Sequence, residues 1–318
     1  MVQTPKRRSG AGQRVGLLAA VLACLLALAG CASKPSAEPA ASRDDRPVVL
    51  TTFTVLQDIA QNVAGEHLRV ESITRLGAEI HGYEPTPDDL RRASHADLIL
   101  DNGLNLEAWF QQFVEDNDAP HATASRGIKP IDIVREEGAG KPNPHAWMSP
   151  LNVKIYADRI AEAFSELDPD NASSYRENAV AYQAKLQEVH DELEAALEEI
   201  PERQRVLVTC EGAFSYLARD AKMAEKYLWA VNAESQATPR KVAAAIDYVR
   251  DNDVPAVFCE STVSDAAMQR VVESTDAAYG GTLYVDSLSE PGGPVPSYLD
   301  LITHDTRTIA RALKGETP

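Results

Sequence analysis

Short apolar runs, each followed by a segment of helical periodicity, recur along this chain of 318 residues, at positions 47–53, 68–74 and 97–101 and then at 205–209, 227–231, 256–259 and 282–285. Strands alternating with helices predict parallel sheets, because a parallel pair needs a long crossover that a helix supplies. Side-chain chemistry marks two helix starts. Thr86-Pro87-Asp88-Asp89 offers an N-cap oxygen, a first-turn proline and two acids on the positive end of the helix dipole; Thr238-Pro239 repeats the cap and the proline.

The two groups of strands are separated by a charged region, 151–200, that breaks at Asp168-Pro169-Asp170. Beyond the break, residues 171–200 contain neither proline nor glycine. As a helix, about 30 residues span some 45 Å, the length of a whole domain. Tyr175, Tyr182, Leu186, Val189, Leu193 and Leu197 are too few and irregular for the heptads of a coiled-coil arm. The expectation is an α/β protein of two lobes, 47–169 and 201–318, each a parallel β-sheet flanked by helices, joined by one long rigid connecting helix at 170–200. With no hinge residue in that helix, lobe motions should be small.

The N-terminus reads differently. Lys6, Arg7, Arg8 and Arg14 precede an uncharged stretch, 15–30, that is shorter than the ~20 apolar residues of a spanning helix. It ends at Leu28-Ala29-Gly30-Cys31, which resembles the lipobox of bacterial lipoproteins; residues 1–30 are then a signal peptide and Cys31 the lipidated first residue. The small, polar, proline-bearing segment that follows, to position 46, reads as a flexible tether that keeps a soluble domain near a membrane. The net charge of −17 becomes more acidic still once the four basic residues of the signal are removed. Such a chain repels nucleic acid and anionic lipid and attracts cations.

Setting aside Cys24 in the signal and Cys31 leaves Cys210 and Cys259. In an oxidising compartment a disulfide is the natural expectation; two buried free thiols and a shared metal site are the alternatives. Of the seven histidines, His67, His95, His121, His190 and His304 have no notable company. His81 lies between glycines in Gly77-Ala78-Glu79-Ile80-His81-Gly82, and His145 lies in the proline-stiffened Pro142-Asn143-Pro144-His145-Ala146-Trp147. Open α/β sheets bind ligands at the carboxyl ends of their strands. In the second group of strands two acids sit at such ends, Glu211 after 205–210 and Asp286 after 282–285. A carboxylate there is costly unless it is paired, hydrogen-bonded or metal-bound.

The segments around these four residues, HGYEPTPDDLRRASHADLILDNGLNLEAWF, NPHAWMSPLNVKIYADRIAEAF, CEGAFSYLARD and YVDSLS with GGPVPSYLDLI, resemble the metal-binding lipoproteins of bacterial ABC importers, the cluster A-I or cluster 9 solute-binding proteins. The similarity covers nearly the whole chain after the tether. It implies a metal held between two lobes by His81, His145, Glu211 and Asp286, an extracytoplasmic, lipid-anchored, monomeric protein, and delivery to a membrane permease. It is similar also to a manganese-binding subgroup in its cysteine pair, which implies a Cys210–Cys259 staple beside Glu211. Zinc binders of the family usually carry a histidine at the third ligand position and often a histidine-rich loop, whereas this chain has Glu211 and no such loop. One departure is Asp220-Ala221-Lys222-Met223, where many relatives have an aromatic-glycine turn.

Two imidazoles and two carboxylates make a harder donor set than three imidazoles, which points to Mn²⁺ as the cargo, with Zn²⁺ and Fe²⁺ as alternatives. Zinc would nonetheless bind such a site tightly. A metallohydrolase needs an open coordination position and a general base, and four protein ligands leave little room for either. The expectation is a binding protein, not an enzyme. Nothing in the chain reads as a dedicated adhesive surface.

Overall fold

The computed structural model describes residues 44–78, 80–107, 109, 119–134, 139–231 and 237–316. The expected signal segment 1–30, Cys31 and the expected tether up to position 43 lie outside the described residues. No helix among those described is long and apolar enough to cross a membrane. Residues 46–318 cluster as one unit.

Four strands form the first sheet: β1 (Val48–Thr51), β2 (Arg69–Ser72), β3 (Leu98–Asp101) and β4 (His121–Thr123), in the order β2-β1-β3-β4, every pair parallel. Helices α1 (Thr54–Ala64) and α2 (Pro87–Ala93) provide crossovers. At the start of α2, Thr86 Oγ1 accepts from Asp89 N while the Asp89 carboxylate accepts from Thr86 N, so the sequence signal is a full capping box. The three-residue strand β4 is absent from the hydrophobic pattern because it is short, at the sheet edge and half polar.

After this sheet, α3 (Pro150–Leu167) leads through a single tight turn at Pro169–Asn171 into α4 (Ala172–Glu198), close to the expected connecting helix. The buried positions of α4 include Tyr175, Ala179, Tyr182, Leu186, Val189, Leu193 and Leu197, which step by three or four. The apolar stripe is therefore regular after all, once Ala179 is counted, and it is covered within the chain. It packs on α3 and α1 and, further along, on the final helix α8 (Tyr298–Leu313).

The second half holds β5 (Val206–Glu211) paired parallel with β6 (Ala224–Trp229), and β7 (Ala256–Glu260) paired parallel with β8 (Ala278–Leu283). Every residue of β5 and β7 is buried, as expected for strands covered on both faces. These two strands lie side by side and are joined by a Cys210–Cys259 disulfide with Cα atoms 4.9 Å apart. Helices α5 (Ser215–Asp220), α6 (Pro239–Asp251) and α7 (Ala266–Glu273) complete the layers. Thr238 caps α6 through Lys241 N, with Pro239 in its first turn.

Two strands sit earlier than their apolar runs imply. β6 begins at Ala224 instead of Tyr227, and β8 at Ala278 instead of Thr282. The β8 shift has a packing cause. A Cβ on Gly280 would lie 2.4 Å from a Phe258 ring carbon and 2.8 Å from Ala312 Cβ, so the glycine lets strand, neighbour and α8 close together. At the unusual Asp220–Met223 turn, Lys222 itself adopts a positive φ of 55°, the conformation a glycine would take more easily.

Candidate metal centre

Glu211 is the last residue of β5 and Asp286 lies three positions beyond β8, both at carboxyl ends of strands. His145 directly precedes a short turn, Ala146–Met148, that leads into α3. His81 lies between β2 and α2. The fold brings all four together, with one donor atom from each within 4.8 Å of the others. The two Nε2 atoms are 3.1 Å apart; Asp286 Oδ1 is 3.8 Å from His81 Nε2 and 3.7 Å from His145 Nε2, and Glu211 Oε1 is 4.0 Å from His81 Nε2. All four side chains are buried.

The loop carrying His145 is fastened at almost every residue. Tyr216 Oη donates to Asn143 O at 2.7 Å, Asn102 Nδ2 to Pro144 O at 3.0 Å, Asn152 Nδ2 to Ala146 O at 3.1 Å and Tyr298 Oη to Trp147 O at 2.6 Å. Trp147 Nε1 donates in turn to Val285 O at 3.0 Å, next to Asp286. Asn143 orients the ring: its Oδ1 lies 2.9 Å from His145 Nδ1 and its Nδ2 donates to Gly212 O at 2.7 Å. With Oδ1 as the acceptor, His145 carries its proton on Nδ1 and turns an unprotonated Nε2 toward the other three donors.

The loop carrying His81 has a different tether. Gly77 N donates to Ser287 Oγ at 2.6 Å, and Ser287 directly follows Asp286. Burial pushes the His81 imidazole down to about 4, with Asp286 opposing the shift and His145 adding to it. The ring is therefore neutral and able to ligate at neutral pH.

A third acid stands behind this group. Glu260, at the end of β7 and 2% exposed, accepts from Glu211 N through both oxygens, at 3.1 and 3.3 Å. Burial drives its carboxyl well above the usual range, and the charges of Glu211 and Asp286 push it further. The buried charges of Glu211 and Asp286 stay uncompensated unless a cation joins them.

Asn143 and Glu260 were not singled out in the sequence. Glu260 carries the same signal as Glu211 and Asp286, an acid closing an apolar strand, and that rule applied to 256–259 finds it. Of the other histidines, His121 Nε2 lies 2.6 Å from Asp101, His190 Nε2 lies 3.6 Å from Glu194, and His304 Nε2 lies 3.2 Å from Thr282 O. None belongs to the four-residue cluster.

The family described as ZnuA, zinc-uptake complex component A, periplasmic, matches residues 49–312. The iron-binding protein YfeA of Yersinia pestis is 52% identical over 264 residues, which cover 83% of this chain and 85% of that protein. The manganese ABC transporter substrate-binding lipoprotein PsaA of Streptococcus pneumoniae is 33% identical, over 93% of this chain and 97% of its own. Among solved structures, the Mn-bound periplasmic metal binding protein from candidatus liberibacter asiaticus superposes with a TM-score of 0.79 at 38% identity, covering 84% of this chain and 100% of that one. Two lobes of parallel sheet and flanking helices are the architecture of these proteins. This chain accordingly belongs to the ZnuA family, the extracytoplasmic solute-binding proteins that hand metal ions to the permeases of bacterial ABC importers, and it is a binding protein, not an enzyme.

Proposed function

We propose that this protein captures Mn²⁺ with His81, His145, Glu211 and Asp286 and delivers it for import while anchored to the membrane as a monomer through lipidated Cys31. The observation that carries the reading is the donor set: two imidazole nitrogens and two carboxylates, with the nearby thiols tied up in a disulfide. Oxygen donors suit Mn²⁺, and the two negative charges offset those of a divalent cation. Fe²⁺ is the second reading, favoured by the 52% identity to a protein named as iron-binding. The lobes are assigned to 47–169 and 201–318, with 170–200 as the connector.

Elemental analysis tests this. Metal-stripped protein would be offered Mn²⁺, Fe²⁺ and Zn²⁺ separately, without oxygen, beside protein purified from its own cells. One equivalent of Mn²⁺ both in the tube and in the purified protein supports the reading. Iron in the purified protein selects the second reading, and binding of zinc alone overturns both. Tighter zinc binding in the tube does not decide the matter, since the divalent series favours zinc at nearly any such site.

Two further outcomes are expected. Asn143→Ala should lower Mn²⁺ affinity by about 10- to 100-fold, the usual cost of freeing a ligating histidine from its partner. Titration calorimetry checks this, and unchanged affinity would show that the loop alone orients His145. The second concerns pH. His81 should stay neutral in the metal-free protein far below 6.5, where an unperturbed imidazole takes up its proton. Between 6.5 and about 4 the unfolded chain binds that proton and the native protein does not, so this group lowers metal-free stability as pH falls through the window. An NMR titration of the His81 ring with a midpoint at the ordinary value would remove the burial argument.

A further inference from the structure

We infer that Glu225 is a positioning residue for the metal site, acting on His145 through Ser215 and Asn143. The inference rests on His145 being a ligand and adds a regulatory element that lies outside the four-residue cluster. Ser215 Oγ donates to Glu225 Oε2 at 2.7 Å, Asn143 Nδ2 donates to Ser215 Oγ at 3.3 Å, and His145 Nδ1 lies 2.9 Å from Asn143 Oδ1. The donors all run one way: imidazole N–H to amide oxygen, amide N–H to hydroxyl oxygen, hydroxyl O–H to carboxylate.

An ionised carboxylate only accepts, so it holds the Ser215 hydroxyl pointing at itself and leaves a Ser215 lone pair for Asn143. That arrangement keeps the Asn143 oxygen toward His145 and its Nε2 unprotonated. A protonated Glu225 carries an O–H that can donate to Ser215 Oγ as well as a carbonyl that can accept from it, so the direction of the chain is no longer fixed. Gly212 O, which also accepts from Asn143, limits the damage to a partial loss of alignment.

The position of Glu225 suits a control point. It is the second residue of β6 and lines a surface cavity of about 560 Å³ together with Lys226 and Tyr227 on its own strand, Val134, and Thr238, Arg240 and Lys241 at the start of α6. Its second oxygen, Oε1, is buried with no hydrogen-bond partner among the described residues. Among the described residues, the ionisable groups around that cavity besides Glu225 are Lys226, Tyr227, Arg240 and Lys241. Burial pushes the Glu225 carboxyl up to about 7, against the hydrogen bonds from Ser215 and Phe214. The relay is therefore aligned above neutral pH and loosened below it, and metal affinity gains a pH dependence whose source is remote from the ligands.

The test is Mn²⁺ titration between pH 5.5 and 8.5 of the wild-type protein and the Glu225→Gln, Ser215→Ala, Ser215→Thr and His145→Ala variants, each checked for thermal unfolding. Glu225→Gln and Ser215→Ala are expected to bind about tenfold more weakly at the alkaline end and to lose the part of the pH profile centred near 7. Ser215→Thr, which keeps the hydroxyl, is expected to restore both. If His145→Ala abolishes binding while Glu225→Gln and Ser215→Ala retain wild-type affinity and profile, the relay is overturned and the ligand assignment stands. If His145→Ala binds as wild type, the ligand assignment fails and the relay with it.

Discussion

Replacing Glu211 with glutamine is expected to lower Mn²⁺ affinity more than 100-fold, beyond the usual range for an outer-sphere change, and at the same time to make the metal-free protein more stable. Both effects follow from the crowding of acids at the ends of β5, β7 and β8. Glu211, Glu260 and Asp286 are 3%, 2% and 2% exposed, and the charge of Glu211 is felt by Glu260 directly. On the proposed ligand set, cargo would compensate the Glu211 charge and take up its oxygen. Without cargo, that charge adds repulsion in a medium that screens poorly. Neutralising it should raise the melting temperature of the stripped protein by roughly 2 °C or more, the shift that about 1 kcal/mol produces in a domain of this size. Calorimetric titration and thermal melts of the same sample give both readings. A variant that binds weakly and also melts lower when stripped would mean that the carboxylate has a structural role in the empty protein.

The second large effect lies in the staple beside it. Converting Cys210 and Cys259 together to alanine is expected to lower stability by about 4 kcal/mol on the chain-entropy account for a separation of 49 residues, and by at least ~2 kcal/mol in practice. The bridge joins β5 to β7, whose hydrogen-bonded partners are β6 and β8 respectively, so it closes the contact between the two strand pairs at the end that presents Glu211 and Glu260. Urea unfolding of the oxidised wild type, the reduced wild type and the double variant measures this. Coincident midpoints would mean that packing of the buried faces of β5 and β7 alone sets the stability of this half.

Much of this arrangement was legible in the chain. The Thr86 and Thr238 caps, the α/β alternation, the turn after Leu167 and the long α4 all follow from local rules of capping, periodicity and proline placement. His81, His145, Glu211 and Asp286 were legible as a group because each sits where a loop or strand end exposes chemistry, and the fold brings them together. The failures have physical causes. β8 contains Gly280 and Gly281, which carry no apolar side chain, and its place is set by close approach of Phe258 and Ala312. β4 is a three-residue edge strand whose hydrogen bonds leave no periodic trace. Asn143 reaches its partners through its amide oxygen and nitrogen, and Ser215 through one hydroxyl, at distances that only the folded chain defines.

The packing of α4 has a mechanical consequence. A helix of 27 residues, clasped by α1 and α3 and then by α8, behaves as a splint, because bending it would break contacts with several helices at once. The loop before His81, by contrast, is bonded to the opposite side of the centre by Gly77 N to Ser287 Oγ. Breaking one such bond costs about 1 kcal/mol, a small fraction of the work of flexing the splint. Loosening that loop would also cost the Trp109 Nε1 bond to Ile80 O at 3.1 Å and the burial of the Ile80 side chain, yet it would leave the helix contacts of the splint intact.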